Sequence, residues 1–455
     1  SNPVVISIIV LLALSLLRIN VIIALVIAAL TAGFIGDLGL TKTIETFTGG
    51  LGGGAEVAMN YAMLGAFAIA ISKSGITDLI AYKIITKMNK TPTAGNLTWF
   101  KYFIFAVLAL FAISSQNLLP VHIAFIPIVV PPLLSIFNRL KIDRRAVACV
   151  LTFGLTATYM LLPVGFGKIF IESILVKNIN QVGATLGLQT NVAQVSLAML
   201  LPVIGMILGL LTAVFITYRK PREYNINVEE PTTKDIEAHI ANIKPKQITV
   251  SLIAIVATFA TQLVTSSTII GGLIGLIIFA LCGIFKLKES NDIFQQGLRL
   301  MAMIGFVMIA ASGFANVINA TTGVTDLVQS LSSGVVQSKG VAALLMLVVG
   351  LLITMGIGSS FSTVPIITSI YVPLCLSFGF SPLATISIVG VAAALGDAGS
   401  PASDSTLGPT SGLNMDGKHD HIWDSVVPTA AQTSLSISLS AFWSQPFNKS
   451  LGSFK

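Results

Sequence analysis

Apolar stretches of 15 to 25 residues recur from one end of this chain to the other, broken by glycine, proline and serine rather than by alternating polar residues. A hydrocarbon core about 30 Å thick takes roughly 20 helical residues to cross, and it tolerates only structures that pair their own backbone groups. Barrel strands would show a period of two. The chain therefore reads as an all-α polytopic membrane protein with roughly 10 to 14 membrane segments. Composition agrees: 10% of the 455 residues are charged, against about 25% in an ordinary soluble domain, and the mean hydropathy is +0.89. The first run, PVVISIIVLLALSLL, has neither a basic start nor a small-residue cleavage site and reads as a retained helix.

Spans are expected near 3–17, 20–36, 55–73, 101–115, 118–137, 146–165 and 192–218, and again near 248–265, 268–285, 302–319, 340–357, 361–378, 383–397 and 427–445. The long polar stretch YRKPREYNINVEEPTTKDIEAHIANIKPKQ separates the two sets. This gives a first repeat over 1–218, a cytoplasmic linker over 219–247 and a second repeat over 248–455. With the linker inside, the cytoplasm also receives Arg18, Lys73, Lys83, Lys87, Lys90, Lys101, Arg139, Lys141, Arg144, Arg145, Lys286, Lys288, Arg299 and Lys418. Lys42, Lys168, Lys177, Lys339, Lys449 and Lys455 stay outside. That asymmetry is the positive-inside pattern, and it accounts for a net charge of +7 without any nucleic-acid partner.

An odd number of spans per half inserts the halves with opposite orientation. Matches in the same order support duplication. SGITDLI (74–80) aligns with TGVTDLV (322–328), and the same offset puts Gly65 on Gly313 and Gly49 on Gly297. SSQNLLP (114–120) aligns with SSFSTVP (359–365), and TFGLTATYMLLPVGFG (152–167) with IVGVAAALGDAGSPAS (388–403).

In lipid a polar break is tolerated only where it faces protein or a wet cavity, and there the exposed helix-end N–H and C=O groups become ion ligands. The first pair of breaks is Ser114, Ser115, Gln116 and Asn117 before Pro120, and Ser359, Ser360, Ser362 and Thr363 before Pro365. They read either as hairpin tips whose oxygens hold sodium and hydrogen-bond a solute, or as ordinary polar loops. The second pair is GDAGSPASDSTLGPTSG (396–412) and its counterpart LLPVGFG. Asp397 and Asp404, with Ser400, Ser403, Ser405 and Thr406, are candidate ligands there, because a carboxylate inside a membrane is costly enough to imply function. The competing reading is a hydrated loop whose aspartates and serines cap helices.

The first-half counterpart carries no acid and offers Thr156, Thr158 and Lys168, so a cavity shared by the halves would be chemically lopsided. A sodium ion would draw on Ser115, Asn117, Ser360, Thr363 and Asp404. Glu56 with Asn60, and Asn316 with Asn319, form a weaker third pair, and His122 either touches solute or packs between helices. Other signals point away from chemistry. ITDLIAYKIITKMNK (76–90) reads as an interfacial helix. GGLGGG (49–54) lacks the strand and helix of a nucleotide loop and reads as a flexible hinge or a close-packed helix start. HDH (419–421) reads as a solvated loop rather than a metal site. Cys149, Cys282 and Cys375 lie in apolar runs without metal or disulfide spacing.

GDAGSPASDSTLGPTSGLN, followed by HDHIWDSVVPT, resembles the bacterial sodium/proton antiporter-type transporters of the ion transporter superfamily, in particular the branch of predicted amino acid (histidine) permeases. The resemblance implies two inverted-topology repeats with broken helices and hairpin tips meeting near the midplane. It also implies a transport domain moving as an elevator on a dimeric scaffold in the inner membrane. Activity is then transport rather than enzymatic, with no organic cofactor and with sodium or a proton as coupling ion. Two functions stay open. One is an ion-coupled carrier of a small amino acid or organic anion, favoured by the uncharged donors at both tips. The other is a sodium/proton antiporter without organic substrate, in which Asp397 or Asp404 alternately binds a proton and sodium.

Overall fold

The computed structural model describes residues 2–76, 79, 94–117, 125–224, 243–265, 267–323, 326, 339–357 and 360–442. Most of the interfacial stretch at 76–90, most of the linker, Ser359 and His122 lie outside them, as does the side chain of Ser362. The secondary structure of the described residues is helical, without strands.

Local sequence explains the helix starts. α1 (Pro3–Leu16) begins where Asn2 accepts the N–H groups of Val4 and Val5 and Pro3 supplies first-turn geometry. α2 (Val21–Ile35) is capped by Asn20. α3 (Leu40–Gly50) leads into α4 (Ala55–Lys73) through Leu51–Gly54, and the chain bends there by 41°. α5 (Ala94–Asn117) packs on α6 (Arg144–Leu161), whose cap is Asp143. After a break at 162–165, α7 (Phe166–Gly183) leaves at 49°. α8 (Val192–Thr217) opens with an Asn191/Gln194 capping box.

In the second half, α9 (Pro245–Thr265) pairs with α10 (Thr268–Leu281). α11 (Ser290–Ala320) lies along α4. α12 (Lys339–Ile357) and α13 (Ser360–Ser377) both pack on α14 (Pro382–Ala398). α15 (Asp404–Leu413) is followed by a wide turn, His421–Val426, that feeds α16 (Val427–Phe442).

By length and composition, Leu97–Asn117, Val192–Thr217, Pro245–Thr265 and Met301–Ala320 are long and apolar enough to cross a membrane, and counting each bent pair as one span brings the total among the described residues to six. Large apolar side chains face outward, among them Val264 at 86%, Phe34 at 84% and Leu281 at 81% exposure. In water each would forgo about 1.5–3 kcal/mol of burial; hydrocarbon removes that cost.

The apolar runs place α1, α2, α4, α8–α10, α12–α14 and α16 close to where they are found. Elsewhere the structure differs. The run at 118–137 is, from residue 125 on, a set of short pieces such as Ile126–Val129 and Leu134–Arg139, because Pro127, Pro131 and Pro132 each remove a backbone donor. α11 starts at Ser290 rather than near 302, and α7 occupies a stretch expected to be loop.

α4 and α11 approach through glycines. A Cβ on Gly65 would strike the Gly297 carbonyl, while one on Gly313 would strike Phe47, and Gly50 lies against Ser312 and Asn316.

Candidate ion and solute site

α6 is the element around which the site is arranged. Gly154, on one face, meets Ala112 of α5. Thr152, Thr156 and Tyr159, spaced by four and three residues, form the opposite face. Thr152 Oγ1 donates to the Ser405 carbonyl at 2.8 Å, and the Tyr159 hydroxyl lies 3.2 Å from Ser360 Oγ. Between them Thr156 is fully buried, and its hydroxyl has no hydrogen-bond partner. Thr158 turns toward the α5 side and bonds the Gly154 carbonyl at 3.0 Å. The two threonines grouped by sequence thus face different neighbours, since positions two apart on a helix are separated by about 200°.

At the first break a side chain from α5 satisfies the loosened backbone. Asn117 Nδ2 points at the carbonyls of Thr158, Leu162 and Val164, at 3.4, 3.3 and 3.0 Å. Gly165, at φ +63°, brings its backbone against the Gln116 and Asn117 carbonyls, where a side chain would collide. Asn117 Oδ1 is buried without a hydrogen-bond partner. Ser115 bonds back to the Ala112 carbonyl at 2.7 Å, Gln116 is buried and Ser114 half-buried.

At the second break the roles reverse. Asp397, 8% exposed, ends α14, and its Oδ2 accepts the Ser360 N–H at 3.1 Å. A continuous line therefore runs Asp397–Ser360–Tyr159, from one half of the chain into the other. Thr363 is fully buried one turn further along α13. Ser400 Oγ accepts the Ala402 N–H, and the Thr406 hydroxyl lies 2.5 Å from the Ser400 carbonyl and 3.0 Å from that of Ser403. Ser403 caps α15 by accepting the Ser405 N–H. Asp404, partly exposed in the first turn of α15, accepts from the buried Tyr61 hydroxyl of α4 at 3.4 Å, a position where the helix dipole favours a carboxylate. Asn117 and Ser360 approach α6 from different sides.

A charged layer closes the end carrying the first turn of α6. Arg144, fully buried, forks onto Asp416 at 2.7 and 2.5 Å and donates to the Leu413 carbonyl that ends α15. Tyr224 lies under its guanidinium at 4.4 Å. Arg222 bonds Asp424 at 2.7 Å. Partial burial alone would raise the Asp416 pKa, but the hydrogen bonds and charge of Arg144 outweigh it and hold the carboxyl below its ordinary value. The HDH segment is not the solvated loop expected: His419 and His421 are 2% and 5% exposed, because α15 and the start of α16 close over them. Burial pushes the His419 imidazole down to about 3.

Glu56 and Asn319 are exposed and Asn60 half-buried. Asn316 reaches the Thr46 carbonyl at 2.7 Å. Among the described residues no group of His, Cys, Asp and Glu is placed to hold a metal ion. Tyr61, Tyr159 and Thr152 were missed in the sequence. Their one signal is a hydroxyl in an otherwise apolar helix, which needs a partner when buried.

Models of the Na+/H+ antiporter family match residues 150–443 and 2–88. A membrane protein of Haemophilus influenzae is 98% identical over 94% of this chain and 95% of its own length. One from Vibrio parahaemolyticus is 56% identical over 94% and 96%. Bacillus subtilis YuiF, named as a proposed amino acid transporter, is 50% identical over 94% and 96%. Among solved structures, Neisseria gonorrhoeae MtrF, of a class of antimetabolite efflux pumps, is 15% identical with a TM-score of 0.42, covering 90% of this chain and 84% of that one. The Alcanivorax borkumensis YdaH transporter is 16% identical with a TM-score of 0.38, covering 89% and 88%. The larger family match contains both helix breaks, Asp397 and Asp404. With its apolar helices and broken pairs, this chain belongs to the Na+/H+ antiporter family and is a multi-pass secondary transporter.

Proposed function

We propose that the protein carries a small amino acid or organic anion across the inner membrane, driven by a sodium or proton gradient, with Asp397 as the coupling carboxylate. The observation that carries this reading is the line Asp397–Ser360–Tyr159, which sets a buried acid where elements of both halves meet. Holding a carboxylate ionised there, away from water, costs several kcal/mol. A bound proton or sodium ion removes that cost. The loaded site then crosses the low-dielectric region more easily than the empty one, which is the condition for coupling.

The Thr156 hydroxyl, buried beside this line, is the proposed contact for the solute. Inverted repeats over 1–218 and 248–455, joined by a cytoplasmic linker, would let the two breaks move as one body in an elevator, with dimerisation fixing the scaffold. The name of the 50%-identical relative supports an amino acid as cargo.

Purified protein in proteoliposomes, offered labelled amino acids under imposed sodium or proton gradients, tests the proposal. Saturable, gradient-dependent uptake is the expected result. A second reading, sodium/proton exchange without organic cargo, is favoured by Asp404, whose Tyr61 contact supplies a second carboxylate. Full exchange activity with no solute present, and no uptake of any of the amino acids, would replace the first reading with it.

A further inference from the structure

Small residues bring α4 and α11 together and hollow out one side of the pair. A Cβ at Gly54 would strike the Met308 carbonyl and one at Gly65 the Gly297 carbonyl, so the two backbones meet at both levels. Between those levels Ala58, Ala62, Ala302 and Gly305 leave an open-sided groove of about 390 Å³, within the range of small-molecule sites. Met59, Leu298 and Phe306 line it as well, and all three are exposed. Every lining residue is apolar.

The groove follows α11 from Phe294 to Ile309, a length of about 22 Å at about 1.5 Å per residue. One leaflet, headgroups included, is half of a bilayer about 40–45 Å thick. The groove is therefore as long as one leaflet is deep.

A cation stands where a headgroup would begin. Arg299 shares the helix face of Ala302 and Phe306, three and seven positions further on, and the apolar span of α11 starts just after it at Met301. Arg299 is exposed and has no ion pair among the described residues. Lys286 and Lys288 are exposed just ahead of α11, and Glu289 is 4.0 Å from Lys73. Asp292 lies two turns before Arg299, about 10 Å along the axis, and Glu56 stands beside Ala55 at the opposite end of the groove. The headgroup end carries net positive charge.

We propose that this groove holds one phospholipid with an anionic headgroup, its acyl chain against Ala58, Ala302 and Phe306 and its phosphate on Arg299. A guanidinium forks onto two phosphate oxygens, and the surplus of cations favours a headgroup without an ammonium. A second copy of the chain fits the groove less well. A two-fold axis along the membrane normal would bring both Arg299 side chains to the same level of one interface, whose core normally excludes charge. The lipid restores packing that the small residues omit, beside the helix that presents Tyr61 to Asp404.

Native mass spectrometry of the full chain in detergent, titrated with phosphatidylglycerol or phosphatidylcholine, tests the assignment. One phosphatidylglycerol per chain is expected to bind about tenfold tighter than phosphatidylcholine, and Arg299→Gln, a change at an exposed position, should abolish the preference. Ala302→Leu, which fills the groove and keeps the charge, should weaken both lipids alike. Equal binding of the two lipids by the unsubstituted protein, or a preference that survives Arg299→Gln, overturns the proposal. Pairs of chains that hold no lipid and separate in Ala302→Leu overturn it in favour of a second copy in the groove. None of these readouts depends on transport, so the function proposed above stands or falls separately.

Discussion

In the break at 162–165 the carbonyls of Thr158, Leu162 and Val164 converge on the Asn117 amide, whereas at 399–403 the Ser360 N–H turns toward the Asp397 carboxylate. One break is uncharged and is satisfied by a neutral side chain. The other carries a buried acid, which is costly to hold ionised away from water. On the proposed function the first break braces and the second couples, although the sequence presents them as copies.

The largest effect that tests this division is Asp397→Asn. Gradient-driven uptake should fall by about 100-fold, the loss of roughly 3 kcal/mol of ion binding, while the elution profile on gel filtration is retained. If uptake persisted in Asp397→Asn and vanished in Asn117→Leu, the assignment of the two breaks would be reversed. Next is Arg144→Met, which leaves Asp416 facing the closed end of α15 without its fork and should lower unfolding stability by about 3 kcal/mol. The double variant with Asp416→Leu should recover most of that loss in thermal unfolding.

The same pair gives a pH dependence. The folded pKa of Asp416 lies below its unfolded value, so its contribution is complete above the unfolded value of about 4 and is lost as pH falls through the folded one. Asp416→Asn should flatten that part of the acid unfolding profile. A smaller effect is expected from Asn117→Leu, which strands three carbonyls. It should cost about 1–3 kcal/mol in thermal stability while leaving the ratio of ion to solute unchanged. Smallest is Thr156→Val, with an unaltered melting temperature and a KM raised about tenfold, equivalent to 1.4 kcal/mol. An unchanged KM would remove that hydroxyl from the solute contact.

The polar breaks were legible because lipid penalises unpaired backbone, so Ser, Asn and Asp inside apolar runs stand out against their surroundings. The bend at GGLGGG was legible for a related reason. Its repeat counterpart reads GLRLMA (297–302), with better helix formers, and there α11 continues unbroken where α3 and α4 bend by 41°. The partners of the breaks were not legible. Tyr61 and Tyr159 count as apolar in any hydropathy average, and only packing shows which hydroxyl meets which acid. HDH read as solvated because its neighbours in sequence are Lys418 and Gly417, while its neighbours in space are Thr410 and Pro401.

The sequence by itself determined that the chain crosses a membrane as helices and where polar, proline and glycine breaks interrupt them, because these follow from local hydrophobicity, proline and glycine. Only the tertiary structure decided which face of α6 each threonine occupies, that Asp397 reaches Ser360 and Tyr159 rather than water, and that both imidazoles are buried. Those facts depend on contacts between residues more than a hundred positions apart or on one segment folding over another, and no local pattern encodes such distances.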